Sequence, residues 1–320
     1  MARYPQTILV SCPIPWDERE ELIEDLFREE VRRTLALGFT DVYVFGTGGE
    51  GYAVDTRRYR QVVEIFRAET RGEGIRPMVG AIGLSTPILI ERLRIAHDAG
   101  FRTFQISLPS WGPLNDDELI RFFEDVCGAF PDSRFLHYNL GRTKRILSAA
   151  DYRRLIPRLP NLVATKTTSG ELPMAADLVT NAGELQHFMD VNNFPYGAMY
   201  GECSLLASYA QLTPHRCREL LEAGRTKDLE RLIDLLKGFH QVGLDLWSAP
   251  KSGPHIDGCY DKMLCKLGLL PEFPLRLLSP YQGFDESDYQ ACKRVMETRY
   301  PDWLAEPMRP QTATAAAARA

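Results

Sequence analysis

Leu162-Val163-Ala164-Thr165-Lys166-Thr167 is a short apolar run that delivers a lone lysine at its C-terminal end. Its residues read as a strand inside a packed core, where lysine is a poor strand former and a costly group to bury. A strand that carries an amine to such a place needs a reason. In parallel α/β folds the C-terminal strand ends carry the chemistry, and an amine kept from water has its pKa drawn toward neutrality, where it attacks carbonyls. The competing reading ends the strand one residue earlier and leaves Lys166 in a solvated loop. Structural lysines far outnumber reactive ones, so this stretch alone does not decide between the two.

On both sides of this strand, short strand-like runs alternate with amphipathic helical ones. Upstream, strands are predicted at 7–12, 42–45, 77–82, 103–108 and 134–138, and downstream at 185–189 and 198–203. Asp17 is placed to cap a helix whose apolar stripe is Leu22, Ile23, Leu26, Phe27, Val31 and Leu35, ended by Gly38. Further helices are predicted at 55–70, 86–99, 115–129, 148–158 and 171–182. The endings Leu37-Gly38-Phe39 and Ala99-Gly100-Phe101 are alike and lie two strand-plus-helix units apart, as sequential βα units would have them. Only the link at 192–197, before the last strand, has room for barely one turn.

Eight strands, each followed by a helix or helical segment within about 215 residues, match the length that a closed (β/α)8 barrel needs. Beyond them the chain reads as helical at 213–223, 227–246, 256–267 and 286–297. The predicted fold class is therefore α/β, a (β/α)8 TIM barrel over 5–212 with additional C-terminal helices over 213–300 packed on its side. Residues 310–320, rich in alanine, are expected to form a disordered tail.

The 320 residues are 44% hydrophobic and 25% charged, with a formal net charge of −5. That mild acidity argues against a nucleic-acid partner, which would need a basic patch. No apolar run reaches the roughly 18 residues of a membrane span, so no membrane partner is expected. The start, Met1-Ala2-Arg3-Tyr4-Pro5, lacks the apolar core of a signal peptide, and a cytoplasmic location is expected. Seven scattered cysteines, never in a C-x-x-C pair, fit free thiols in a reducing compartment. Six dispersed histidines without H-E-x-x-H carry no metal signature.

Gly46-Thr47-Gly48-Gly49-Glu50-Gly51 follows the second strand and formally matches the dinucleotide fingerprint G-x-G-x-x-G. Two details oppose that reading. The next helix begins only near Asp55, and the following strand does not end in an acidic residue to hold a ribose. Glycines after a strand also let successive N–H groups point into a concavity and cradle a small anion such as a carboxylate. A glycine-rich turn without a ligand is the third possibility. The fifth strand ends in His137-Tyr138-Asn139-Leu140-Gly141-Arg142-Thr143. Alternation puts Leu136 and Tyr138 on one face, and Leu162, Ala164 and Lys166 on one face of the next strand. If both faces line a barrel, a phenol and an amine meet at its rim as a proton-transfer pair. Tyr138 as a core tyrosine and Arg142 in a surface ion pair are the plainer alternatives.

The order G-T-x-G-E after strand two, Y-N-x-x-R-T after strand five and T-K-T-T-S-G at the end of strand six resembles the N-acetylneuraminate lyase and dihydrodipicolinate synthase superfamily of class I aldolases, over residues 5–284. The resemblance implies a (β/α)8 barrel with C-terminal helices, a homotetramer, and neither metal nor organic cofactor. It makes Lys166 the Schiff-base lysine, Tyr138 the catalytic tyrosine and Thr47 the hydroxyl that relays protons to it. Gly48 and Gly49 match the turn whose amides hold the carboxylate of an α-keto acid. Arg142 resembles an arginine that binds a carboxylate of the second substrate. Gly201 to Ser204 matches a turn closing the back of the site, with Cys203 where an aliphatic residue is usual.

Three departures qualify the match. Gly48 stands where the family usually has a second threonine, so one side-chain donor to the keto acid is lost. Pro109-Ser110-Trp111 puts an indole where the synthases use a tyrosine, and indole cannot exchange a phenolic proton. The spacing from Tyr138 to Arg142 is one residue shorter than usual. Together these argue against dihydrodipicolinate synthase itself. The expected activity is a Schiff-base lyase that joins or separates pyruvate and an aldehyde. The alternatives are a dehydratase of a 2-keto-3-deoxy sugar acid, a dihydrodipicolinate synthase-like enzyme, and a keto-acid-binding barrel without turnover. Specificity is expected from Trp111, Asp190, Asn192 and Asn193, which suit an aromatic or polyhydroxylated substrate.

Overall fold

The computed structural model describes residues 1–168 and 171–304. The expected tail at 310–320, and Ser169 and Gly170 of the lysine motif, lie outside the described residues.

Eight parallel strands close into one barrel in chain order. They are β1 (Ile8–Ser11), β2 (Asp41–Val44), β3 (Arg76–Ala81), β4 (Thr103–Ile106), β5 (Arg134–Asn139), β6 (Leu162–Thr167), β7 (Gln186–Met189) and β8 (Ser204–Leu206). Between them run α1 (Glu24–Ala36), α2 (Thr56–Glu69), α3 (Thr86–Asp98), α4 (Asp116–Gly128), α5 (Ala149–Leu155), α6 (Leu172–Asn181) and α7 (Phe194–Tyr200). Then α8 (Pro214–Thr226) packs on β1, β8 and α7 and completes the ring, and α9 (Leu229–Trp247), α10 (Asp257–Gly268) and α11 (Glu286–Arg299) follow. The predicted TIM barrel with extra C-terminal helices is the fold observed. Among the described residues no helix is long and apolar enough to cross a membrane.

Local chemistry explains most boundaries. Asp55 caps α2 by accepting from Arg58 N, and Asn115 and Ser148 open α4 and α5 with capping boxes. Two expectations are corrected. Asp17 does not cap α1; its Oδ1 accepts from Arg19 N and Glu21 N in a turn, and α1 starts at Glu24 after Ile23. The eighth strand is Ser204–Leu206, and most of the stretch 198–203 belongs to α7 or the turn after it. Pro195 near the N-terminus of α7 favours the helix, and Phe194 and Ala198 bury one side of it.

A small inner cluster fills the barrel with Tyr4, Leu9, Tyr43, Met78, Leu136, Ala164, Phe188 and Leu206. At its lower end Asp41 accepts from the hydroxyls of Tyr4 (2.8 Å) and Thr7 (2.8 Å) and from Arg76 Nε (2.8 Å). Leu162 packs in the outer core, off the face shared by Ala164 and Lys166. The reason is a slip in the β5–β6 ladder at Phe135/Leu136, which interrupts the alternation at the lower end of the strand. Above the slip the alternation holds, and Tyr138 is paired in register with Lys166.

A buried carboxyl ties α1 to the segment that follows β8. Glu30 of α1 accepts from Thr34 Oγ1 (3.0 Å) and from Gln211 Nε2, and burial pushes its pKa up to about 8. The folded state therefore holds this proton more tightly than the unfolded chain, and stability is lost as pH rises through about 8. Glu30→Gln is expected to melt level with the parent protein at pH 5 and a few degrees above it at pH 9. Thermal scans at the two pH values check this, and a lower Tm for the variant at pH 9 contradicts it.

Candidate active site

Lys166 is the last residue but one of β6, on the inner face at the C-terminal rim of the barrel, and is only 2% exposed. Its Nζ donates to the Tyr43 hydroxyl (2.9 Å) and to Gln105 Oε1 (3.3 Å), and lies 3.9 Å from the Tyr138 ring centroid and 4.5 Å from that of Tyr43. Burial lowers its pKa to about 7, against the pull of Asp261 and Asp257. One phenol oxygen and an amide oxygen accept from the amine and the Tyr138 ring covers it, and none of the three neutralises an ammonium by direct ion pairing. Near neutral pH the amine is therefore far more readily freed of its proton than an exposed lysine.

Tyr138, on the neighbouring strand, stands against Thr47 Oγ1 (3.3 Å) and accepts from Thr168 Oγ1 (3.4 Å). Burial raises its pKa, so the phenol keeps its proton in the resting site. Thr47 belongs to the glycine-rich turn, and the turn is forced by packing. Phe45 at the end of β2 has φ +63°, and a Cβ on Gly49 or Gly51 would come 2.6 Å from its N or 2.5 Å from its O. The N–H groups of Gly48 and Gly49 donate to no backbone carbonyl among the described residues.

Lys166, Tyr138, Gly48, Arg142 and Asp190 line one cavity of about 580 Å³ together with Thr168 and Tyr43. Its other wall comes from the C-terminal helices: Trp247, Asp257, Tyr260, Asp261 and Leu264. Arg142 is held bidentately by Asp257, with Nη1 3.0 Å from Oδ2 and Nη2 2.8 Å from Oδ1. Asp190 Oδ1 accepts from Asn192 N (3.0 Å), Asn193 N (2.9 Å) and Asn193 Nδ2 (3.1 Å), and burial raises its pKa.

Other predicted residues are not brought to this cavity. Trp111 is 83% exposed, with its carbonyl accepting from Lys144 Nζ (2.6 Å). Asn192 is exposed and serves Asp190 through its backbone. Gly49 packs beneath the turn, and Cys203 is buried with its Sγ 3.8 Å from Phe194 O. Among the described residues no group of three or more His, Cys, Asp or Glu side chains is gathered to hold a metal ion.

The acidic wall was missed in the sequence, although Asp257, Asp261 and Leu264 fall at one-turn spacing on a single helix face. Helix α10 is pinned over the barrel by Glu50, the acidic residue of the turn motif. Glu50 Oε1 lies 2.6 Å from Lys262 Nζ, both side chains being fully buried, and accepts from Trp16 Nε1 (2.9 Å), while Oε2 accepts from Leu278 N (2.6 Å). Glu50→Ala would leave the Lys262 ammonium buried without a counter-charge, an expected loss of about 3–5 kcal/mol. Urea unfolding measures it, and an unchanged midpoint would remove Glu50 from this role.

Residues 5–249 match the model of the dihydrodipicolinate synthetase family. Among relatives, a 4-hydroxy-tetrahydrodipicolinate synthase of Thermus thermophilus is 30% identical over 173 residues, 53% of this chain and 57% of that protein. The N-acetylneuraminate lyase of Citrobacter koseri is 24% identical over 173 residues, 54% of this chain and 58% of that protein. The chain thus spans a little over half the length of these relatives. Over the whole fold it is similar to a dihydrodipicolinate synthase structure from Bacteroides thetaiotaomicron, with a TM-score of 0.81 at 17% identity, covering 93% of this chain and 99% of that one. The E. coli K12 prophage protein YagE, solved in complex with pyruvate, gives a TM-score of 0.79 at 16% identity, covering 91% of this chain and 97% of that one.

Proposed function

This chain belongs to the dihydrodipicolinate synthetase family, and from that premise and the chemistry of its rim we propose that it is an imine-forming lyase of α-keto acids, cleaving a substrate to pyruvate and an aldehyde or running the reverse condensation. The observation that carries the proposal is a single amine, 2% exposed, enclosed by two phenols at the C-terminal end of a barrel strand.

In this reading neutral Lys166 attacks the ketone carbon. The carbinolamine loses water, with Tyr138 handing a proton to the departing oxygen, and an iminium forms. Tyr138, left as a phenolate by that transfer and held by Thr47, then takes the proton of the hydroxyl on the far carbon of the bond to be broken. The C–C bond electrons flow into the iminium, the aldehyde leaves, and the enamine regains a proton before hydrolysis frees pyruvate. Gly48, the glycine of the turn that lines the cavity, offers its N–H to the keto-acid carboxylate.

The Arg142 charge is already compensated by Asp257. With Asp190 and Asp257 lining the same cavity, the aldehyde side suits a hydroxyl-bearing partner better than a second carboxylate. Incubation with pyruvate and borohydride tests the reaction type, since the iminium would be reduced to a stable secondary amine on the peptide holding Lys166. Absence of that adduct would sink the reading.

A further inference from the structure

Gly48 is filled from outside. A Cβ built on it would lie 1.8 Å from Asp261 Oδ2, so while Asp261 keeps its place no other residue is accommodated there. The carboxyl of Asp261 occupies the volume that a side chain at position 48 would have, and Ser11 Oγ, 3.3 Å from the same Cβ position, bounds that space. Asp261 directly precedes Lys262, whose buried pairing with Glu50 fixes this part of α10 above the turn. Helix and turn are thus complementary, one side chain withdrawn and another inserted from the C-terminal extension.

We propose that Asp261 supplies the side-chain hydrogen bond to the keto-acid carboxylate that residue 48 cannot give, and that it does so by sharing a proton with that carboxylate. The inference rests on the α-keto acid reading above. Two carboxylates at hydrogen-bond distance do not both ionise, so binding requires one proton between them. The groups facing Asp261 set where that proton comes from. They are Lys166 of β6, Tyr43 of β2, Asp257 one turn earlier on α10, and the hydroxyls of Ser11 and Ser208.

Burial and Asp257 push the Asp261 pKa up to about 7, against Lys166, Ser208 and Ser11, which lower it. Lys166 titrates at about 7 as well. Passing one proton from the Lys166 ammonium to the Asp261 carboxylate therefore makes the nucleophile and the hydrogen-bond donor together, with no change in net charge. Above that pH the donor becomes a repelling anion and α-keto acid binding weakens.

The test is the half-saturating pyruvate concentration for borohydride trapping in the full-length protein between pH 6 and 9. In the parent it should rise about tenfold per pH unit above neutrality, whereas in Asp261→Asn, a permanent neutral donor, it should stay flat. Gly48→Thr should weaken binding about tenfold or more by displacing the carboxyl, and Gly48→Thr combined with Asp261→Ala should restore it without pH dependence. A flat profile in the parent, an Asn variant that rises with it, or a Gly48→Thr protein that binds as well as the double variant overturns the proposal. No adduct in the parent at any pH would overturn the imine reading itself, and this proposal with it.

Discussion

Replacing Lys166 with methionine is expected to abolish the borohydride-trapped pyruvate adduct and to lower turnover by about 10⁴-fold or more, as loss of a covalent nucleophile does elsewhere. The thioether matches the length of the lysine stem but cannot form an imine. Stability should not suffer. An amine that is 2% exposed and solvated by a phenol and an amide is costly to keep, and an apolar chain removes that cost. A Tm level with or above the parent, together with a lost adduct, separates a chemical role from a packing one. The same amine sets a pH dependence of known sign. Only its neutral form attacks, so the trapping rate at saturating pyruvate should climb with pH and level off above about 7. Adduct formation in the methionine variant would place the reactive amine elsewhere.

Tyr138→Phe carries the second-largest expected effect, a fall of about 10²- to 10⁴-fold in kcat, the usual worth of a positioned proton carrier. The ring over Lys166 Nζ is retained, and what is lost is the hydroxyl between Thr47 and Thr168. Trapping should therefore survive, more slowly, while C–C bond cleavage nearly stops. The two threonine hydroxyls lose a buried partner, at about 1 kcal/mol each. A variant whose kcat stays within about threefold of the parent would assign the proton transfers to another group. Tyr43 is then the first candidate, because its hydroxyl already accepts from Lys166 at 2.9 Å.

Much of this architecture was legible in the chain because its cues are local. The helix starts at Asp55, Asn115 and Ser148 are capping residues that bond within one turn of themselves, and seven of the eight strands are short apolar runs beside them. The eighth strand was misplaced because Ala198-Met199-Tyr200 has no strong local preference. Its helix is decided by burial of Phe194 and Ala198, and by Gly197 packing where a Cβ would meet Met189 Sδ at 2.5 Å. The slip between β5 and β6 likewise leaves no mark in the sequence, and it moved Leu162 off the face on which alternation had placed it.

By itself the sequence determined that strands and helices alternate eight times and that one buried-looking strand carries a lysine at its end, with a tyrosine at the end of the strand before it. Those properties depend on residue types within a few positions of each other, and hydrophobic period and turn chemistry are enough to express them. Only the tertiary structure decided what stands across from that lysine. Asp257 and Asp261 come from a helix of the C-terminal extension, Asp257 takes up Arg142, Asp261 fills the space above Gly48, and Glu50 meets Lys262 in the interior. Each of these is a meeting of residues distant along the chain, and its strength depends on burial, which no local stretch of sequence specifies.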